Sequence, residues 1–80
     1  MHTRLTTIDI RLFATLSRFQ PPDATHYPVE PSITVGELLS RMGVPLTEVK
    51  LIFINGVKGS PETALNGGER VGIFPPVGGG

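Results

Sequence analysis

Ile33-Thr34-Val35-Gly36-Glu37-Leu38-Leu39-Ser40-Arg41-Met42-Gly43 is where the chain leaves the alternation of strands and takes on a helical pattern. Thr34 and Glu37 have the spacing of a capping box, in which a hydroxyl and a carboxylate each accept from a backbone N–H that the first helical turn leaves unpaired. Ile33 and Leu38 have the spacing of a hydrophobic staple around that cap. Val35, Leu38, Leu39 and Met42 fall at i, i+3, i+4 and i+7 and make one apolar stripe. Gly43 can take the left-handed conformation that ends a helix, and Pro45 cannot easily continue one. The spacing predicts a helix from Thr34 to Gly43, too short to stand alone and in need of a sheet to lie on.

The flanks supply the strands. From Thr6 to Ala14 the residues alternate, with Ile8, Ile10, Leu12 and Ala14 on one face and Thr7, Asp9, Arg11 and Phe13 on the other, which is the pattern of a half-buried strand. Residues Thr15 to Phe19 predict a short turn whose Leu16 and Phe19 close one end of the core, and Gln20-Pro21-Pro22-Asp23 reads as a loop. His26 to Glu30 can form a second strand, kept to the sheet edge by Pro28, which has no N–H to give a neighbour. A hairpin of these two strands is implied. On the other side of the helix, Val49-Lys50-Leu51-Ile52-Phe53-Ile54 reads as a central strand ending in Asn55-Gly56, a two-residue hairpin signal, with Val57 and Lys58 starting the return arm. Ser60-Pro61 and Asn66-Gly67-Gly68 punctuate an irregular stretch anchored by Leu65. Glu69 to Phe74 is the last strand, with Val71 and Ile73 on one face and Gly72 and Phe74 on the other. The order predicts an α+β domain, a mixed sheet of four to five strands with one helix packed across one face.

Composition narrows the chemistry. Eighty residues make one small domain with a single modest core. No cysteine is present, so disulfide, thiolate-metal and thiol chemistry are excluded. Seven Lys and Arg balance seven Asp and Glu without a run of either sign, which argues against nucleic acid or an anionic membrane and for a protein partner. Met1-His2-Thr3-Arg4 has no apolar segment behind it, and a cytoplasmic address is expected. His2 and His26 are single histidines without ligand spacing, so no metal site is expected. Asp9 and Arg11 read as solvated charges, Glu37 as a cap and not an acid catalyst, and Gly67-Gly68 as a turn and not a phosphate loop, because a strand and no Lys-Ser/Thr follows.

The remaining stretch is Phe74-Pro75-Pro76-Val77-Gly78-Gly79-Gly80. Its glycines carry no side-chain chemistry, so the tail must work through its backbone, its lack of bulk or its carboxylate, which ionises at roughly 3.3 to 3.7. Glycine also suits a chain that must thread a narrow channel in another protein. At the rise of an extended proline-rich segment, residues 75–80 span about 18 Å. The expected organisation is a folded domain over 1–74 and a flexible tail over 75–80. Terminal glycines are often no more than a frayed end; Phe-Pro-Pro-Val sets this tail apart.

The element order, Ile54-Asn55-Gly56, Leu65-Asn66-Gly67-Gly68-Glu69-Arg70-Val71 and the terminal Phe-Pro-Pro-Val-x-Gly-Gly together resemble the MoaD/ThiS-type ubiquitin-like sulfur carriers of β-grasp fold. The likeness is greatest to the small subunit of molybdopterin synthase; the thiamine carrier shares the fold and the Gly-Gly end but generally lacks Pro-Pro-Val. Leu12-Phe13-Ala14 is similar to the family's first strand. Two departures are visible: the family's Asp-Gly-Asp before the last strand is Gly67-Gly68-Glu69 here, and the residue before Gly79-Gly80 is itself Gly78. The resemblance implies a carrier cycle in which an E1-like adenylyltransferase of the MoeB type uses ATP with Mg to adenylate Gly80. A sulfur donor protein then converts it to a thiocarboxylate, and a synthase large subunit of the MoaE type takes up the tail and passes its sulfur to a molybdopterin or tungstopterin precursor. Pro75, Pro76, Val77, Gly78 and Gly79 would be read by those partners. No cofactor is bound, and the catalytic side chains belong to the partners, so the chain is not an enzyme by itself.

In the implied β-grasp the first, last and third strands lie side by side, and Phe13, Phe74 and Phe53 would then form a partner-binding patch on the face away from the helix. Periodicity leaves a second place for Phe53, in the core, because Leu51 to Ile54 is apolar throughout. Competing functions are a carrier for thiamine or a sulfur amino acid, a ubiquitin-like modifier conjugated through Gly80, and a plain binding module with an idle tail.

Overall fold

Both halves of the capping box form. The Thr34 hydroxyl accepts from the Glu37 N–H at 3.1 Å, and the Glu37 carboxylate accepts from the Thr34 N–H at 3.0 Å. The helix they start, α1, runs Val35–Arg41. Its next two unpaired donors are satisfied from a distant segment: Val35 N–H donates to the Thr63 carbonyl at 3.0 Å and Gly36 N–H to the Pro61 carbonyl at 2.8 Å. An irregular loop thus completes the helix N-terminus. At the other end Gly43 takes φ +82°, and its N–H donates to Ser40.

The computed structural model describes residues 5–76. Seven strands are present among them: β1 (Thr6–Leu12), β2 (Tyr27–Val29), β3 (Ile33–Thr34), β4 (Leu51–Ile54), β5 (Val57–Lys58), β6 (Ala64–Leu65) and β7 (Arg70–Phe74). Five make one mixed sheet in the order β2-β1-β7-β4-β5, and β3 pairs with β6 separately. β1 and β7 run parallel; every other neighbouring pair is antiparallel. The helix lies on one face, where Ile8, Ile10, Leu12, Ile52, Val71 and Ile73 meet Val35, Leu38 and Leu39, all buried, and Leu16 and Leu65 close the edges. This is the β-grasp arrangement that the resemblance implies.

Most of the strand expectations hold, with definite exceptions. Asn55 and Gly56 both take positive φ, +53° and +81°, as a type I′ hairpin requires, and pair Ile54 with Val57. Pro28 sits in an edge strand. The first strand, however, stops at Leu12: Ala14 adopts φ +54° and turns the chain into a 3-10 helix over Ala14–Phe19, so Ala14 is exposed and leaves the buried face. The central strand is β7, with β4 beside it, and Val49-Lys50 precede β4 as the exit of a 3-10 turn over Leu46–Glu48. Hydrogen bonding from both sides makes β7 central, which a pattern of apolar residues does not reveal.

Gln20, expected only as a loop residue, does the work of a missing strand. β2 pairs with β1 only as far as Ile8. Beyond that point the Gln20 amide takes over, its oxygen accepting from Leu12 N–H at 2.7 Å and its nitrogen donating to the Ile10 carbonyl at 2.8 Å. The exposed edge of β1 is thereby blunted.

Two consequences are measurable by chemical denaturation. Thr34→Ala removes the cap and lowers stability by about 1 kcal/mol, and Gln20→Ala, which frees two partly buried backbone groups, lowers it by about 1–2 kcal/mol. The cap also carries a pH signature. Hydrogen bonds from the Thr34 backbone N–H and then its hydroxyl hold the Glu37 carboxyl below its ordinary 4.5. A folded value below the unfolded one stabilises fully above the ordinary range and is lost as pH falls through the lowered value. The stability difference between wild type and Glu37→Gln is therefore constant near neutrality and shrinks as the pH falls below 4.5.

Candidate functional site

The site follows from the pleat of β7. Val71 and Ile73 point into the core, so Arg70, Gly72 and Phe74 point to the opposite, uncovered face. Register then decides their neighbours: Gly72 lies between Arg11 of β1 and Phe53 of β4, and Phe74 lies across from Leu51. The phase of β4 is settled by Ile52, buried opposite Ile73, which sends Phe53 to the open face and out of the core.

Three of the four phenylalanines meet there. The rings of Phe13 and Phe74 stack with centroids 4.3 Å apart and an angle of 4° between planes, and Phe53 meets Phe74 edge to face at 5.8 Å and 89°. Phe13 stays 39% exposed, so the cluster is a surface and not a second core. A groove of about 320 Å³ opens beside it, with Gly72 as its floor and Arg11 and Arg70 on its rim. Arg11 pairs loosely with Asp9 at 3.4 Å, and Arg70 makes no ion pair among the described residues.

The proline-glycine stretch leaves from this cluster. The Phe74 carbonyl accepts from Lys50 N–H at 2.8 Å, and Pro75 and Pro76, which follow without regular structure, have no N–H to extend the ladder. Val77, Gly78, Gly79 and Gly80 lie outside the described residues. The Gly67-Gly68-Glu69 departure resolves into a turn: Gly67 and Gly68 have φ +124° and +82°, and the Glu69 carboxylate accepts from the N–H groups of Asn66 and Gly67 at 2.8 and 2.7 Å. A Cβ at Gly67 would collide with the Thr6 side chain.

Sequence reasoning missed Arg11, Arg70 and Gly72 as members of one groove. Alternation places Arg11 on the face of Phe13, but only strand order and register bring it beside Gly72. Among the described residues no group of three or more His, Asp or Glu could hold a metal ion, and no helix is long and apolar enough to cross a membrane.

A five-stranded mixed sheet with one helix across it defines a ubiquitin-like β-grasp domain. A family model described as Mut7-C ubiquitin matches residues 5–78, and the chain belongs to that family. Among solved structures it is similar to the Haloferax volcanii HVO 2177 protein, with 27% identity and a TM-score of 0.72 over 95% of this chain and 88% of that one. It is also similar to SAMP1 from Haloferax volcanii, at 25% identity and a TM-score of 0.60 over 89% and 96% of the two chains. A second crystal structure, of H. volcanii small archaeal modifier protein 1, shares the fold at 22% identity and a TM-score of 0.60 over 85% and 94%. No curated protein matches the chain. The resemblance to ubiquitin-like carriers is thus met by a ubiquitin-like family and by a fold shared with modifier proteins.

The ring geometry predicts a measurable coupling. In a double-mutant cycle of Phe13→Ala and Phe74→Ala, the stacked pair contributes about 0.5–1.5 kcal/mol beyond the sum of its separate burials. Additive losses in denaturation would show that the stack does not persist in solution.

Proposed function

We propose that this domain is a carrier of an activated carboxylate, that of Gly80, with an E1-like adenylyltransferase of the MoeB type as its first partner. The observation that carries this reading is the position of the aromatic cluster: Phe74 belongs both to the exposed face and to the root of Pro75-Pro76-Val77-Gly78-Gly79-Gly80. A partner that grips Phe13, Phe53 and Phe74 therefore holds the tail at its base and has residues 75–80 to thread into a nucleotide site. A Gly80 carboxylate oxygen attacks the α-phosphorus of ATP, pyrophosphate leaves, and an acyl-adenylate forms. A hydrosulfide equivalent from a sulfur donor protein then adds to the carbonyl carbon and expels AMP, leaving an ionised thiocarboxylate. Adenylation is needed because an oxide is a poor leaving group and AMP a good one.

Phe-Pro-Pro-Val before the glycines favours molybdopterin or tungstopterin as the destination of the sulfur, delivered through a MoaE-type large subunit in the cytoplasm. A second reading keeps the activation and changes the acceptor: a lysine amine of a target protein attacks the activated carbonyl and forms an isopeptide. The likeness to solved structures named as a small archaeal modifier favours it.

Intact mass after incubation with ATP, Mg, the E1-like enzyme and a sulfur donor tests the first reading. Replacement of one oxygen by sulfur on the C-terminal peptide, dependent on ATP, is the expected result. Gly80 joined to lysine in the absence of any thiocarboxylate would select the modifier. Deleting Gly79-Gly80 should abolish either product while leaving the melting temperature nearly unchanged.

A further inference from the structure

Gly72 sits in the middle of the central strand, where a glycine weakens a sheet by about 0.5–1 kcal/mol relative to a residue with a side chain. Its backbone does not require this, since its φ is not positive, unlike those of Gly43, Gly56, Gly67 and Gly68. Its neighbours do not require it either: a Cβ built at Gly72 meets only the Phe74 and Phe13 ring edges, at 3.4 and 3.5 Å, which is ordinary contact. What a side chain there would do is grow into the groove that Phe53, Arg11 and Arg70 surround. The missing side chain leaves an opening bounded by aromatic rings at one end and by guanidinium groups at the rim.

The charge around that opening is lopsided although the chain as a whole is neutral. Among the described residues Arg11, Arg70 and Lys58, which pairs across from Phe53, share the face, against Asp9 alone. The nearby Glu69 has both carboxylate oxygens committed to the Asn66 and Gly67 N–H groups. We propose that Gly72 is the floor of a socket for one aromatic or apolar side chain of the activating partner, and that this side chain is flanked by carboxylates that meet Arg11 and Arg70. The proposal rests on the reading of the domain as a substrate of an activating enzyme for who the partner is, and on the groove alone for what the socket accepts.

The socket is tested first without any partner, by following backbone amide resonances of the whole chain in titrations with phenylacetate and with phenethylamine. These probes share a ring and differ in the sign of their charge. Phenylacetate should give saturable shifts centred on Gly72, Arg70 and Phe74, with phenethylamine about tenfold weaker, and Gly72→Val should abolish the response. Arg70→Glu, a surface change that keeps the socket empty, should equalise the two probes. Equal response to both probes in the wild type, shifts scattered over the surface, or a response that survives Gly72→Val in a folded protein would overturn the proposal and leave Gly72 as a glycine covered by the Phe74 and Phe13 rings. With the activating enzyme, Gly72→Val should raise KM for the carrier by about tenfold with kcat unchanged, because the reacting carboxylate is untouched. An unchanged KM would overturn the assignment to this partner; no adenylation of wild type would instead contradict the carrier function itself.

Discussion

The register of β7 is the constraint on which both faces of this domain depend. Five residues, Arg70–Phe74, are hydrogen-bonded on one side to parallel β1 and on the other to antiparallel β4. Because side chains alternate, a slip of one position would bring Gly72 and Phe74 into the core and expel Val71 and Ile73. The start of the strand is clamped against such a slip. Asn55 donates its backbone N–H to the Arg70 carbonyl at 2.8 Å, and its side-chain oxygen accepts from Arg70 N–H at 2.9 Å. The Asn66–Glu69 turn fixes the approach, with Gly68 N–H donating to the Thr7 carbonyl at 2.7 Å. One strand thus fills the core, builds the aromatic face and sets where Pro75 departs.

What could be read in the sequence was what depends on near neighbours. The capping box of α1, the stop at Gly43, the Asn55-Gly56 turn and the alternation of β7 are each decided within a few residues. Features set by distant partners were not legible. The β3–β6 pair joins Ile33 to Leu65 and Thr34 to Ala64, next to the Thr63 and Pro61 carbonyls that accept from the first turn of α1, and no local pattern announces that. Gln20 looks like any loop residue until β1 is seen to outrun β2. The run Leu51 to Ile54 is apolar on both faces, so its phase waited on the pairing of Ile52 with Ile73. The same pairing decided where Phe53 points and hence whether the aromatic cluster has two rings or three.

The two faces of the sheet make an asymmetric molecule. One is covered by α1 and holds an apolar core with no buried polar or charged residue among those described. The other carries three stacked or edge-on phenylalanines, a glycine floor and two arginines, with no described element of the chain over them. Exposed aromatic surface of this kind, rimmed by charge, suits a protein partner better than solvent. Joined to a tail that offers no chemistry except backbone and carboxylate, it would, in the proposed cycle, separate recognition from reaction, with the face gripped while Gly80 is delivered elsewhere. The two proposed fates, sulfur transfer and protein conjugation, would diverge only after that delivery.

The step common to both is the formation of an acyl-adenylate, and it can be observed in isolation by ATP–pyrophosphate exchange with an E1-like enzyme and Mg, with neither sulfur donor nor acceptor present. The account predicts exchange that depends on this chain, saturates with its concentration and disappears when Gly79 and Gly80 are removed. Exchange equally strong with the truncated chain would contradict it, as would no exchange with an enzyme shown to activate another ubiquitin-like substrate.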